Sequence, residues 1–137
     1  MRRRSSLSAS VNGWPPMERR KTILICDDEP ALRELIRASM DEGYDFAEAS
    51  DGIIAMELAR DMQPDLVILD LMLPRLSGLE VLARFNEDAR LKDVPVLVIT
   101  AWNETREDVL AAGADDFVTK PFDPADLRNA VNRLVAA

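Results

Sequence analysis

A chain of 137 residues with 47% apolar content suits one domain with a core, and its 0 histidines exclude Ser-His-Asp triads, histidine metal sites and histidine general bases. The net charge is −8; five arginines against one glutamate put +4 on residues 1–20 and leave −12 on residues 21–137, which argues against direct nucleic-acid binding. No apolar run approaches the ~18 residues of a membrane span, and the single cysteine, Cys26, has no second cysteine for an internal disulfide.

Residues 1–20 lack an apolar period. Arg2-Arg3-Arg4 is followed by Ser5, Ser6, Ser8 and Ser10, and no apolar segment of about 7–15 residues follows, so this is not a secretory signal. The stretch reads as a disordered tail that includes Trp14-Pro15-Pro16. Residues 21–137 read as the folded domain.

Thr22–Cys26 is a short β-branched strand that leaves Cys26 buried and reduced. A helix over Pro30–Met40 follows, with Leu32, Leu35, Ile36, Ser39 and Met40 on one face. Pro30 suits its first turn, and Gly43 ends it. Phe46–Ala49 is a weaker strand. Asp51-Gly52 punctuates, and Ala55, Leu58, Ala59 and Met62 mark a second helix. Leu66-Val67-Ile68-Leu69 then runs without alternation, bounded by Pro64 and Pro74, and stops at Asp70. Unbroken apolar character means a strand covered on both faces. Leu71–Gly78 is a loop, and Leu79, Leu82 and Ala83 give a third helix to about Asn86. Pro95–Thr100 is a second continuous apolar strand. Thr105–Ala112 is a short helix stopped by Gly113, and Phe117–Lys120 is the fifth strand. Pro124–Val135 closes the chain, with Leu127, Ala130, Val131 and Leu134 at helical spacing. Strands alternating with single helices predict a (βα)5 doubly wound parallel sheet, with helices on both faces.

Four of the strands end in polar groups: Asp27-Asp28, Asp70, Thr100 and Lys120. In a parallel sheet these ends share one edge, where open α/β folds bind ligands. Three converging carboxylates repel one another unless a cation is present, and hard oxygen donors suit Mg²⁺. Lys120 adds a fixed positive charge, and Thr100 a donor and an acceptor. A carboxylate can attack phosphorus to form an acyl phosphate, given positioning and neutralised charge. Asp70, alone at the end of the most buried strand, is the expected nucleophile, with Asp27 and Asp28 holding the metal. Singly, each residue has a plainer reading: Asp27-Asp28-Glu29 could favour a helix N-terminus, Asp70 could cap a loop, and Phe117 could be core. Their meeting at one edge is what makes them a site.

Cys26-Asp27-Asp28-Glu29, Asp70-Leu71-Met72-Leu73-Pro74 through Gly78, Thr100-Ala101, and Ala112-Gly113-Ala114-Asp115-Asp116-Phe117-Val118-Thr119-Lys120-Pro121-Phe122 together resemble the receiver domain of bacterial response regulators. The resemblance covers about Lys21 to Ala137 and implies a flavodoxin-like sheet of strand order 2-1-3-4-5. It implies that Asp70 is the phosphoacceptor. It also implies Mg²⁺, with Mn²⁺ as the alternative, held by Asp28, Asp70 and the Met72 backbone carbonyl, with Asp27 acting mainly through water. Lys120 would pair with a phosphoryl oxygen. Thr100, followed by Ala101, would bind another and move toward it. Phe117 would be the switch aromatic, and Lys120–Pro121 would be cis. The implied partners are a sensor histidine kinase or histidine phosphotransfer protein and an unnamed downstream protein, with no membrane contact and a cytoplasmic setting. The domain would catalyse only its own phosphorylation and dephosphorylation.

Two departures stand out. The chain is shorter than the family pattern between Trp102 and Val109, on a surface that mediates partner or dimer contacts in the family, so the usual dimer mode is not carried over. Met72 and Trp102 are bulky beside the site and are expected to hinder the hydrolytic water. Three rival readings stand beside this one. An aspartate-nucleophile phosphatase would need a general acid where Met72 stands. A docking domain that is never phosphorylated would not need all the site residues. A flavin binder would need a Ser/Thr/Gly loop after the first strand.

Overall fold

A computed structural model describes residues 20–101 and 105–136. Five strands alternate with five helices: β1 (Lys21–Cys26), α1 (Pro30–Ser39), β2 (Tyr44–Ala49), α2 (Gly52–Met62), β3 (Leu66–Asp70), α3 (Gly78–Glu87), β4 (Val96–Thr100), α4 (Arg106–Ala111), β5 (Asp116–Thr119) and α5 (Pro124–Ala136). The strands form one parallel sheet in the order β2-β1-β3-β4-β5. Residues 1–19, including Trp14-Pro15-Pro16, and Trp102 lie outside the described residues.

The unbroken apolar runs have a simple physical origin. Successive side chains of a strand point to opposite faces. Ile23, Ile25, Leu66, Ile68, Leu97 and Ile99 pack with Ile36 of α1 and with Leu127, Ala130 and Val131 of α5. Their neighbours Leu24, Cys26, Val67, Leu69, Val96 and Val98 pack the other way, with Ala55, Met56 and Ala59 of α2, Val81, Leu82 and Phe85 of α3, and Val109 of α4. Every residue of β3 and β4 is buried, whereas edge strand β2 buries only Ala49. Burial, followed by the Asp27 charge, pushes the Cys26 thiol far up, so it stays protonated.

Pairing brings the carboxyl ends level. Cys26 sits opposite both Ala49 and Leu69, Asp70 opposite Ile99, and Thr100 opposite Thr119. Two backbone bonds extend this alignment past the strands: Asp27 N–H to the Ala49 carbonyl at 3.1 Å, and Lys120 N–H to the Thr100 carbonyl at 3.0 Å.

Several element details differ from the sequence reading. Helix α1 stops at Ser39, because Met40 is extended (φ −87°, ψ 158°); Gly43, at φ 105°, serves the turn into β2 instead. Leu35 is not on the buried face of α1 but 47% exposed. Ser39 lies on that face, its hydroxyl satisfied by donating to the Leu35 carbonyl at 2.8 Å. Helix α3 begins at Gly78 behind a Ser77 cap, and its buried face is Gly78, Val81, Leu82 and Phe85. Leu79 and Ala83 therefore point to solvent, since one residue of helical phase turns the stripe by about 100°. Strand β5 ends at Thr119, so Lys120 opens the following loop rather than closing the strand.

Asp116 ties three elements together. It accepts from the Phe117 amide at 2.8 Å and pairs with Arg106 of α4 and Arg133 of α5. Burial raises its pKa, but the Phe117 amide and the two guanidinium groups outweigh that and hold the carboxyl below its ordinary 3.8. Because both arginines are exposed, Asp116→Asn is expected to cost only about 0.5–1 kcal/mol in urea unfolding at neutral pH. A folded pKa below the unfolded one gives stability above the ordinary value that is lost as pH falls through the folded pKa. The two proteins should therefore become equally stable in acid.

Candidate functional site

The first carboxylate is placed by a turn. Where β1 ends, Asp27 is 2% exposed, and its Oδ1 accepts the Glu29 N–H at 2.9 Å, bending the chain into α1. Asp28, the next residue, is exposed. Arg33 of α1 reaches back to fix this corner, with Nη1 donating to the Asp27 carbonyl and Nε to Glu48 of β2, both at 2.7 Å.

Asp70 is 4% exposed at the end of β3. Its two oxygens have different partners: Oδ1 accepts the Met72 N–H at 3.0 Å, and Oδ2 faces the Lys120 Nζ at 3.0 Å. The same ammonium lies 2.9 Å from Asp27 Oδ2. One carboxylate oxygen from each of Asp27, Asp28 and Asp70 lies within 4.8 Å of the others.

The electrostatics follow from burial. Desolvation pushes the Asp27 carboxyl above its ordinary range, and the nearby Asp70 charge adds to this; the Glu29 amide and Lys120 pull the other way without cancelling it. Desolvation disfavours the Lys120 ammonium, but its bonds to Asp27 and Asp70 outweigh that and hold it firmly charged.

The remaining sequence-predicted residues lie around this cluster. Thr100 is fully buried at the end of β4, and Ala101 is exposed immediately after it. Met72 is 53% exposed, with its amide on Asp70. Phe117 is half-buried, opposite Val98 on the neighbouring strand, and packs against the α2–α3–α4 side of the core. The Lys120–Pro121 peptide is cis. The structure thus joins Asp27, Asp28, Asp70 and Lys120 directly, sets Thr100, Ala101 and Met72 beside them, and leaves Phe117 below.

Sequence reading missed the supports. Arg33 carried no signal beyond its place on the first turn of α1. Asp51-Gly52 read only as punctuation, yet Asp51 is buried and pairs with Arg75 of the β3–α3 loop at 2.8 Å.

The cluster suits a divalent cation. Three carboxylates against one ammonium leave two negative charges, and every donor is a hard oxygen. Asp28 opens the cluster to solvent, as suits an ion such as Mg²⁺ that keeps several waters. Among the described residues no helix is long and apolar enough to cross a membrane.

Comparison with known proteins agrees with this geometry. The model of the response regulator receiver domain matches residues 23–132. The DNA-binding dual master transcriptional regulator RpaA of Synechocystis is 42% identical over 82% of this chain and 48% of its own length. The phosphate regulon transcriptional regulatory protein PhoB of Pseudomonas aeruginosa is 42% identical over 78% and 48%. The chain therefore spans about half the length of these relatives. Among solved structures, the receiver domain of the sensor histidine kinase PA1611 from Pseudomonas aeruginosa, with a magnesium ion coordinated in its active-site cleft, superposes with a TM-score of 0.78 at 29% identity, covering 87% of this chain and 100% of that one. The chemotaxis response regulator CheY4 of Vibrio cholerae gives 0.77 at 26% identity, covering 85% and 99%. A parallel sheet of this order, an acidic edge and a match over most of the chain lead to one conclusion: the protein belongs to the response regulator receiver domains, the phosphoacceptor signalling domains of two-component systems.

Proposed function

We propose that Asp70 accepts the phosphoryl group, from the phosphohistidine of a sensor histidine kinase or a histidine phosphotransfer protein. The carrying observation is the division of labour on its carboxylate: Met72 N–H orients one oxygen, and the Lys120 ammonium faces the other at 3.0 Å. A carboxylate oxygen attacks phosphorus, the phosphorus–nitrogen bond to the donor imidazole breaks, and the imidazole leaves with that electron pair. Lys120 pairs with a phosphoryl oxygen on the acylated Asp70, a role its 3.0 Å approach to the Asp70 carboxylate supports. Thr100, at the neighbouring strand end, binds another, and Ala101 belongs to the same segment. Asp28, Asp70 and the Met72 carbonyl would hold Mg²⁺, with Asp27 behind them; Mn²⁺ has similar donor preferences. When bound, the ion neutralises charge on the transferred group. The magnesium ion in the cleft of the Pseudomonas neighbour supports this choice.

The domain turns over no separate substrate; its chemistry is confined to its own acyl phosphate. Phosphorylation changes a protein-binding surface through Thr100 and Phe117, or the group passes onward in a relay. The setting is cytoplasmic, without membrane contact. DNA binding is named for the longer relatives; the charge of −12 on residues 21–137 speaks against it for this domain.

Incubation with acetyl phosphate and Mg²⁺ tests the reading. Intact mass should show one added phosphoryl group, mapped to Asp70 and absent when the metal is chelated. Incorporation elsewhere, or incorporation indifferent to Mg²⁺, would refute it. Met72 is exposed beside the acceptor, where it shields the acyl phosphate from water. Met72→Asn is therefore expected to shorten the lifetime of the phosphorylated form several-fold, and an unchanged lifetime would remove that role.

A further inference from the structure

We infer that Asp51 and Arg75 are positioning residues for the cation pocket: their ion pair latches a strained turn in the β3–α3 loop and so sets the Met72 main chain against Asp70. The inference rests on the reading above, in which the Met72 carbonyl is a ligand.

The strain is visible at Arg75. Its φ is 68°, a left-handed value that is uncommon outside glycine. The Leu76 N–H donates to the Pro74 carbonyl at 2.7 Å, closing a three-residue turn centred on Arg75. A γ-turn with positive φ at its centre is the rare, strained form. A β-carbon at that position makes it costlier still, so something must hold it.

Three ties from the start of α2 do so. Arg75 Nη1 lies 2.8 Å from Asp51 Oδ2. The Gly52 N–H donates at 3.2 Å to the same Pro74 carbonyl that closes the turn. Gly52 also packs so closely on Leu76 that a β-carbon there would overlap the Leu76 carbonyl. Asp51 is itself fixed, because it is 7% exposed and its Oδ1 accepts the Ile54 N–H at 2.9 Å, capping α2.

The other end of the loop is equally confined. Gly78 N–H donates to the Leu71 carbonyl at 3.0 Å, and Gly78 lies against the Asp70 carbonyl with no room for a side chain. Between these fixed ends lie Met72, whose amide holds Asp70, and, three residues on, the latched turn. A short closed loop has little slack, so a shift at Arg75 must move Met72.

Strain and latch make separate predictions. Arg75→Ala keeps the costly φ and removes the ion pair. Asp51→Asn keeps an equally good helix cap and removes the charge. Each should weaken Mg²⁺ binding by about three- to fivefold, because the Arg75 guanidinium is 59% exposed and an ion pair of that kind contributes modestly. The double variant should be no weaker than either single one, because both remove one interaction. Arg75→Gly removes the latch but also the strain, and should stay within about twofold of wild type. Arg75→Lys should retain most of the affinity.

Calorimetric titration with Mg²⁺ alone, on the full chain, gives the dissociation constants, with thermal unfolding run in parallel. Equal affinities for wild type and Arg75→Ala, whatever the change in melting temperature, would overturn the inference by showing a merely structural pair. Equal losses in Arg75→Ala and Arg75→Gly would overturn it by showing that strain is not what the pair restrains. Wild-type Mg²⁺ binding that Asp28→Asn abolishes identifies the pocket itself. Its absence would defeat the functional reading as well, so the two failures are distinguishable.

Discussion

An Asp70→Asn protein is expected to take up no phosphoryl group from acetyl phosphate and Mg²⁺, while folding as well as the parent. Asparagine has nearly the same volume, and its carbonyl oxygen can still accept the Met72 N–H now held at 3.0 Å. What disappears is the nucleophilic oxygen, and an amide does not replace it. The electrostatic side runs in favour of the variant. Two buried carboxylates now share one ammonium; in the variant Asp27 has Lys120 to itself. Removing a buried like charge should relieve about 1 kcal/mol, raising the melting temperature of the metal-free protein by about 3–5 °C. Mg²⁺ should bind more weakly, because the cluster is left with one uncompensated negative charge instead of two. Intact mass, calorimetry and thermal unfolding on the same preparation check all three. Phosphorylation persisting on Asp27 or Asp28 would reassign the acceptor.

Lys120→Met should have the largest cost to the fold. It leaves Asp27 and Asp70, 2% and 4% exposed, facing each other without a counter-charge. Removing one partner of a buried ion pair typically costs ~3–5 kcal/mol. Lys120 is 18% exposed, so the loss is set at the lower end, about 3 kcal/mol. Against a total stability of ~5–15 kcal/mol that is a fall in melting temperature of roughly 10 °C. The pH dependence has a definite sign. Burial already raises the Asp27 carboxyl, and without the ammonium that opposes this it titrates higher still in the folded state than in the unfolded one. The folded state then binds more protons, and stability falls as pH rises above the ordinary carboxyl value of 3.8. The deficit should therefore shrink in mild acid and shrink again with Mg²⁺ at neutral pH. Lys120→Arg, which keeps the charge, should recover most of the loss. A melting temperature unmoved in Lys120→Met would mean that the two carboxylates do not feel each other as buried charges.

The parts of this protein that were legible in its sequence are those decided by local rules. Leu66–Asp70 announced a doubly covered strand because both faces of β3 meet helices, and that leaves no polar alternation. The acidic edge was legible because parallel topology sends every strand end to one side, whatever the register. Helix phase was less secure. Leu35 and Leu79 fit an apolar stripe on paper, yet solvent takes both, because apolar spacing alone does not say which side of a helix the sheet covers. The supports of the site left almost no trace. Arg33 serves a backbone carbonyl, which any residue at position 27 would offer. The turn at Arg75 uses a backbone conformation that an arginine in a sequence gives no reason to expect.

Sequence alone determined the alternating architecture and the chemical types gathered at its rim, since hydrophobic period and chain direction are properties of short segments. Only the tertiary structure decided who holds whom: that Lys120 divides itself between Asp27, 93 residues away, and Asp70, 50 residues away, and that Asp51 reaches Arg75. Such pairings depend on strand register, loop closure and side-chain rotamer together, and no short segment contains that information.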